Sequence, residues 1–249
     1  MGAKESKPKK TEAKKEQKKG TPIVEVPTPG KLKVLIVFAN PEPKSFCGAI
    51  KDTAVNTLQK QGHQVKVSDL YQMKMFLPLD TTDFTRVEDG VYFKPQVEQA
   101  SANNARFTTF TAEVREEHEK VQWCDIIIFI FPLYWWSFPG ILKNWVDRIF
   151  SMGFAYGQKG NVTLKGRKGM MIYTTGGPKE FHKSIGMEDA SWKMMNHGIF
   201  AFCGITPLEP FVAYQVAWID DEARKAYLAQ IAQAMEGLEK RPEFQITAT

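Results

Sequence analysis

Apolar residues fall along this chain in two alternating rhythms. Leu32-Lys33-Val34-Leu35-Ile36-Val37-Phe38-Ala39 and Cys124-Asp125-Ile126-Ile127-Ile128-Phe129-Ile130-Phe131 are short, nearly unbroken apolar runs. Such β-branched and aromatic runs predict strands covered on both faces, as in a parallel sheet. Residues 63–70, 168–174 and about 207–216 predict three more strands. Between them lie stretches with helix punctuation. Ser45 caps a predicted helix over 46–61 that Gly62 closes. Residues 111–122 predict a surface helix whose charged run, Glu116 to Lys120, faces solvent. Pro139 opens a helix over 140–151. A further helix spans about 189–202, and Asp220 caps the last, which runs to about Lys240.

Strands alternating with helices predict one doubly wound α/β domain over residues 31–249. The expected sheet is five-stranded and parallel, in the flavodoxin-like order 2-1-3-4-5. Residues 71–110 are long for a connection and predict an elaborated excursion rather than a separate domain.

Charge changes the picture only at one end. The chain carries 33 basic and 28 acidic residues, a net of +5. Its first twenty residues hold eight Lys and three Glu, so the remainder has 25 of each sign and is formally neutral. The basic balance therefore belongs to a tail, and the folded body gives no sign of nucleic-acid binding. Residues 1–30 offer little to bury and predict a disordered arm. The arm opens Met1-Gly2-Ala3-Lys4-Glu5-Ser6, which fits the pattern that places a myristoyl chain on Gly2. One acyl chain gives marginal membrane binding, and adjacent lysines supply the second signal at about 1 kcal/mol each near an anionic surface. The competing reading is a solubilising tail. Cys47, Cys124 and Cys203 are too sparse for a disulfide framework or a zinc site, which predicts a reducing, cytoplasmic setting. No run reaches the roughly 20 apolar residues that span a bilayer.

In an open parallel sheet, ligands bind beyond the carboxyl ends of the strands. Three loops belong there. Asn40-Pro41-Glu42-Pro43-Lys44-Ser45-Phe46-Cys47 lacks the usual dinucleotide and Walker glycines; taken alone it reads first as an ordinary capped loop, although its donors at a helix N-terminus suit a phosphate. Pro132-Leu133-Tyr134-Trp135-Trp136-Ser137 places three consecutive aromatics just past a buried strand, where no single face can bury them all. A flat heteroaromatic ligand would give them a partner, and a core plug or an oligomer contact is the competing reading. Thr174-Thr175-Gly176-Gly177 sets two hydroxyls before two glycines that permit close approach.

At these residues the chain resembles the NAD(P)H:quinone oxidoreductase (DT-diaphorase-like) flavoproteins. The most specific stretch is FPLYWWSFPGILKNWVDRIFSMGFAY, from Phe131 to Tyr156, joined by SDLYQM at 68–73, TTGG at 174–177 and FCGITPLEP at 202–210. The resemblance covers about residues 32–238. It implies bound FAD, with FMN the other choice, a homodimer, and ping-pong two-electron reduction of quinones by NAD(P)H through flavin N5. It implies that Ser45, Phe46 and Cys47 form the pyrophosphate loop, with Asn40 beside the flavin. Pro132, Leu133, Tyr134, Trp135 and Trp136 would lie along the isoalloxazine, and Thr174, Thr175, Gly176 and Gly177 at its pyrimidine edge. Asp147 and Arg224 would stand near the adenosine half. Tyr156 and Phe202 would close the quinone pocket from the partner subunit, and Trp135 would line that pocket.

The family places a tyrosine and a histidine after TTGG. Here His182 takes the tyrosine's place in a shortened loop, and no histidine stands at the second. His182 is then the candidate proton donor to the flavin, with Tyr156 beside it in the catalytic set; the bland reading is an exposed loop histidine. Two other outcomes fit the same scaffold: a flavin-bound regulatory subunit of a membrane transporter with little turnover, or an azo- or nitroreductase. His63 is expected to start a strand, His118 to lie on a solvated helix face, and His197 to be structural. None has metal-ligand spacing.

Overall fold

The computed structural model describes residues 30–88, 90–157 and 164–245. Most of the predicted arm, Gly2 included, lies outside them. In the body, β1 (Lys33–Phe38), β2 (Gln64–Asp69), β3 (Ile126–Pro132) and β4 (Lys168–Thr174) form the centre of one sheet. The predicted fifth strand is two pieces, β5 (Thr206–Pro207) and β6 (Phe211–Ala213), which pair in turn with the start and the end of β4. Pro207 and Pro210 cannot donate to the ladder, which interrupts it. All pairs are parallel, and the order is β2-β1-β3-β4-β5, with β6 beside β4.

Alternation along the strands builds two cores. Val34, Ile36, Phe38, Ile126, Ile128 and Ile130 face one way, under α1 (Phe46–Lys60) and α7 (Asp221–Glu236). Leu35, Val37, Ile127, Phe129 and Phe131 face the other, under α3 (Ala112–Trp123) and α4 (Gly140–Ile149). This is why β1 and β3 read as continuous apolar runs. The excursion before α3 carries its own helix, α2 (Pro95–Asn104), and is tied down at a distance. Buried Arg148 of α4 donates to Asp83 at 2.7 Å and to Glu113 at 2.9 Å, and Asn103 donates to the Met152 carbonyl at 2.7 Å.

Three expectations need correction. The charged run of α3 is not wholly solvated, because Glu117 and His118 are both 0% exposed. Trp145 Nε1 donates to Glu117 at 2.8 Å, and His118 Nε2 lies 2.9 Å from the Ile149 carbonyl. Burial pushes the His118 imidazole down to about 4. His197, expected to be structural, is exposed. The segment after TTGG is not a loop. It forms α5 (Lys179–Ser184) and α6 (Met187–Trp192), and the chain continues as a π-helical stretch over Lys193–Phe200. That stretch packs so closely on β4 that a Cβ on Gly169 would stand 2.6 Å from the Phe200 ring.

Candidate functional site

Register places the strand ends together. Phe38 pairs with Ile130, Pro132 with Thr174, and Thr174 with Ala213, so the loops after β1, β3, β4 and β6 leave one edge of the sheet.

The first loop is compact. The Glu42 amide donates to Asn40 Oδ1 at 2.9 Å, and Ser45 Oγ accepts from the Gly48 amide at 3.1 Å. The Ser45 carbonyl takes the first helical bond from Ala49. Phe46 and Cys47 occupy the first two helical positions, whose amides have no partner inside a helix. Position 48 requires glycine, because a Cβ would lie 2.0 Å from the Pro43 carbonyl oxygen. Cys47 is buried with its Sγ 3.2 Å from Thr174 Oγ1, which joins the first loop to the third. Burial pushes the Cys47 thiol up, partly offset by bonds to Thr174 and Asn40.

The second loop is a tight reverse turn. Tyr134 and Ser137 exchange backbone bonds at 3.1 and 3.0 Å, leaving Trp135 and Trp136 between them at φ 50° and 56°. Left-handed backbone costs a bulky residue about 1–2 kcal/mol. Trp135 is 90% exposed, so packing within the chain does not offset that cost. Trp136 is held by its carbonyl, which accepts from Ser191 Oγ at 2.8 Å, while its indole N–H is buried with no acceptor.

The third loop stands opposite. Thr175 donates to the Ala213 carbonyl and, through Oγ1, to the Gly177 carbonyl at 2.8 Å. Nothing lies within 4 Å of where a Gly176 Cβ would be. Leu133, Trp135, Trp136, Thr175, Gly176, Gly177, Phe181 and His182 together line a cavity of about 240 Å³. His182 is only 8% exposed and meets the Phe181 and Tyr214 rings edge-on, each at 6.0 Å. The exposed-loop reading of His182 therefore fails.

The remaining sequence candidates lie elsewhere in one chain. Tyr156 and Phe202 are ring neighbours at 5.9 Å and line a second hollow of about 470 Å³ with Asp147. Burial pushes the Tyr156 phenol up. Asp147 pairs with Lys143 at 2.7 Å on α4, whereas Arg224, on α7, pairs with Asp221 at 2.8 Å and donates to the Val216 carbonyl. One chain thus does not bring Asp147 and Arg224 together. Sequence reading missed Phe181, which lines the cavity, and Ser191, Tyr214 and Glu188 behind it: Ser191 bonds the Trp136 carbonyl, Tyr214 meets His182, and Glu188 bonds Tyr214. Glu188 sits in α6, and nothing in the local pattern marks its carboxyl as buried. Among the described residues no His, Cys, Asp and Glu cluster could hold a metal, and no helix is long and apolar enough to cross a membrane.

Comparison with known proteins agrees with this layout. A family profile described as flavodoxin-like fold matches residues 32–237. The chain is 37% identical to mouse ribosyldihydronicotinamide dehydrogenase [quinone] over 222 residues, covering 86% of this chain and 95% of that one. It is 34% identical to rat NAD(P)H dehydrogenase [quinone] 1, covering 85% and 76%. It superposes on NAD(P)H:quinone oxidoreductase from Methanothermobacter marburgensis with a TM-score of 0.70 and 25% identity, covering 84% and 98%. The chain belongs to the flavodoxin-like family that includes these quinone dehydrogenases.

Proposed function

We propose that this protein is a flavin-dependent NAD(P)H:quinone reductase. One observation carries the reading: two tryptophans held in left-handed backbone face Thr175–Gly177 across an open cavity, and one of them buries an indole N–H with no acceptor. A planar heterocycle matches the aromatic walls and the close approach that Gly176 and Gly177 permit. The residues present fit a flavin nucleotide. The first amides of α1 and the Ser45 loop would hold its phosphates. Trp135, Trp136 and the Gly176–Gly177 backbone would hold its ring system, and Cys47 and Thr174 would brace the two loops. FAD is the proposed form, with Arg224 near its adenosine half, and FMN is the other outcome of the test.

When bound, the flavin supplies two-electron transfer, taking a hydride from a dihydronicotinamide and passing it to a quinone. The chain does the rest. The tryptophan wall orients a flat donor and then a flat acceptor in the same place, which predicts ping-pong kinetics. His182, buried at the cavity edge, is placed to hold the proton that a quinone needs in addition to the hydride. Trp135 leaves one side of the cavity open in a single chain. A homodimer would close it with the Tyr156–Phe202 pair and Asp147 of a second copy, which also accounts for a 65% exposed Phe202. The basic arm, if acylated at Gly2, would hold the enzyme at an anionic membrane face near lipid-soluble quinones.

The test is NAD(P)H oxidation by flavin-loaded protein with and without a simple quinone. Turnover that depends on quinone, with parallel double-reciprocal lines, is expected. Negligible oxidation in either case would instead favour a flavin-bound regulatory module. Mass spectrometry of the native N-terminus decides the acyl chain.

A further inference from the structure

Behind His182 lies a second polar structure that the proposed reaction has not used. Glu188 of α6 is 5% exposed, and its Oε2 accepts a hydrogen bond from the Tyr214 hydroxyl. The Tyr214 ring meets the His182 ring edge-on at 6.0 Å. On the far side, Glu188 lines a solvent-facing hollow of about 370 Å³ with Lys179, Lys183, Gly186, Asp189 and Trp192. His182 lines the tryptophan-walled cavity. The contacts therefore run from the outer hollow through Glu188, Tyr214 and His182 to the cavity.

The stoichiometry of quinone reduction needs such an inlet. A dihydronicotinamide gives up a hydride, which is two electrons and one proton. A quinone becoming a hydroquinone takes two electrons and two protons. One proton per turnover comes from water, and the open side of the tryptophan-walled cavity is the side that a second copy in the proposed dimer would cover.

We propose that Glu188 and Tyr214 are positioning residues that deliver this proton to His182. Glu188 takes a proton from water in the outer hollow. Its O–H bond breaks as the Tyr214 oxygen accepts that proton, and Tyr214 gives its own proton to the imidazole of His182, through one water or a small rotation of the rings. His182 passes its proton to the reducing side of the cavity, and no electrons move along the relay. The inference rests on the quinone-reductase reading above.

Other groups around the pair fit this role. Tyr173 of β4 interacts with Glu188 and is fixed by a 2.6 Å bond from Trp192 Nε1. The Tyr227 hydroxyl of α7 accepts from the Tyr214 amide at 3.1 Å, and Lys179 Nζ stands 5.9 Å from the Tyr214 ring centre. Lys183 and Asp189 rim the hollow. Burial first, and then the Glu188 carboxyl, push the Tyr214 phenol far above the ordinary tyrosine range, so Tyr214 conducts a proton without becoming a lasting phenolate.

The experiment compares Glu188→Gln, Tyr214→Phe and Glu188→Asp in the full flavin-loaded chain. Both removals are expected to lower kcat with quinone at least about tenfold, to leave KM and flavin affinity unchanged, and to raise the solvent isotope effect. Glu188→Asp restores most of the rate. In flavin-free protein, the His182 ring resonance, assigned with His182→Gln, should shift its titration midpoint in Glu188→Gln but not in Asp189→Asn. Unchanged kcat, isotope effect and His182 titration in both removals would overturn the relay. Tyr214→Phe deletes one oxygen and decides the matter if Glu188→Gln does not fold. Wild-type protein without quinone-dependent turnover would overturn the function and the relay together. Normal wild-type turnover with indifferent variants overturns the relay alone.

Discussion

Among the described residues, two turns place neighbouring bulky residues in left-handed backbone, and they treat the cost differently. Arg106 and Phe107 stand at φ 54° and 67°, beside α3. Phe107 is held there by stacking on His118, with ring centres 5.0 Å apart, and the His118 ring is itself packed against Phe110 and Phe154 at 4.9 and 4.4 Å. Trp135 and Trp136 have the same backbone, yet Trp135 stands in solvent and the Trp136 N–H has no acceptor. In the first turn, core packing fixes the strained backbone. In the second, only hydrogen bonds to the backbone do, from the Tyr134–Ser137 pair and from Ser191 to the Trp136 carbonyl, and the residues that wall the proposed ligand cavity are left strained without core packing. Strain that the chain itself compensates reports on stability, and strain that it does not compensate points to a binding site.

The comparison can be broken from either side. The largest effect is expected in the first turn. Phe110→Ala removes a fully buried ring of the His118 cage and should cost about 3–5 kcal/mol in denaturant unfolding, with flavin affinity of the folded protein unchanged. Lost flavin affinity at full stability would reverse the assignment of the two regions.

Next is the acid limb of stability. His118 titrates at about 4 when folded, against 6.5 as the ordinary value. The unfolded chain therefore takes up a proton that the folded chain refuses. Stability from this group is full above about pH 6.5 and is lost as pH falls toward 4, by up to about 3 kcal/mol. His118→Gln should flatten that limb in unfolding measured from pH 7 to 4.

Gly48→Ala tests the loop that Cys47 joins to the Thr174–Gly177 loop. Its Cβ would collide with the Pro43 carbonyl, so a cost of about 1–3 kcal/mol and weaker flavin binding are expected. Isothermal titration and thermal melting read the two effects separately.

The smallest change in stability, and of opposite sign, belongs to the second turn. Trp135→Gly relieves left-handed strain and should stabilise flavin-free protein by about 1 kcal/mol. The same change should weaken flavin binding about tenfold. Phe107→Gly, its counterpart, should lose stability instead.

Much of the fold is written in local pattern. The runs at 32–39 and 124–131 are apolar on both faces because two helical layers cover them, and that is visible one residue at a time. The tryptophan pair was also legible, since no single face could bury it, whereas TTGG read equally well as a ligand loop and as a simple turn. Glu117 and His118 were not. Their burial depends on Trp145 and Ile149, about thirty positions away, and a charged run looks solvated until those partners are in place. Glu188 and Tyr214 escaped for the same reason, their bond spanning 26 residues. The interruption of the fifth strand was signalled by Pro207 and Pro210 but could not be resolved from a β-rich stretch alone.

The central claim is that the tryptophan turn and the Thr175–Gly177 loop hold a flavin ring. The most direct measurement is a visible-absorbance and fluorescence titration of flavin-free protein with FAD and with FMN, repeated on Trp136→Phe. Stoichiometric binding with a perturbed flavin spectrum in the wild type, weakened when the Trp136 part of the wall is trimmed, is the expected result. Protein that stays colourless and leaves both nucleotides free in solution would contradict it.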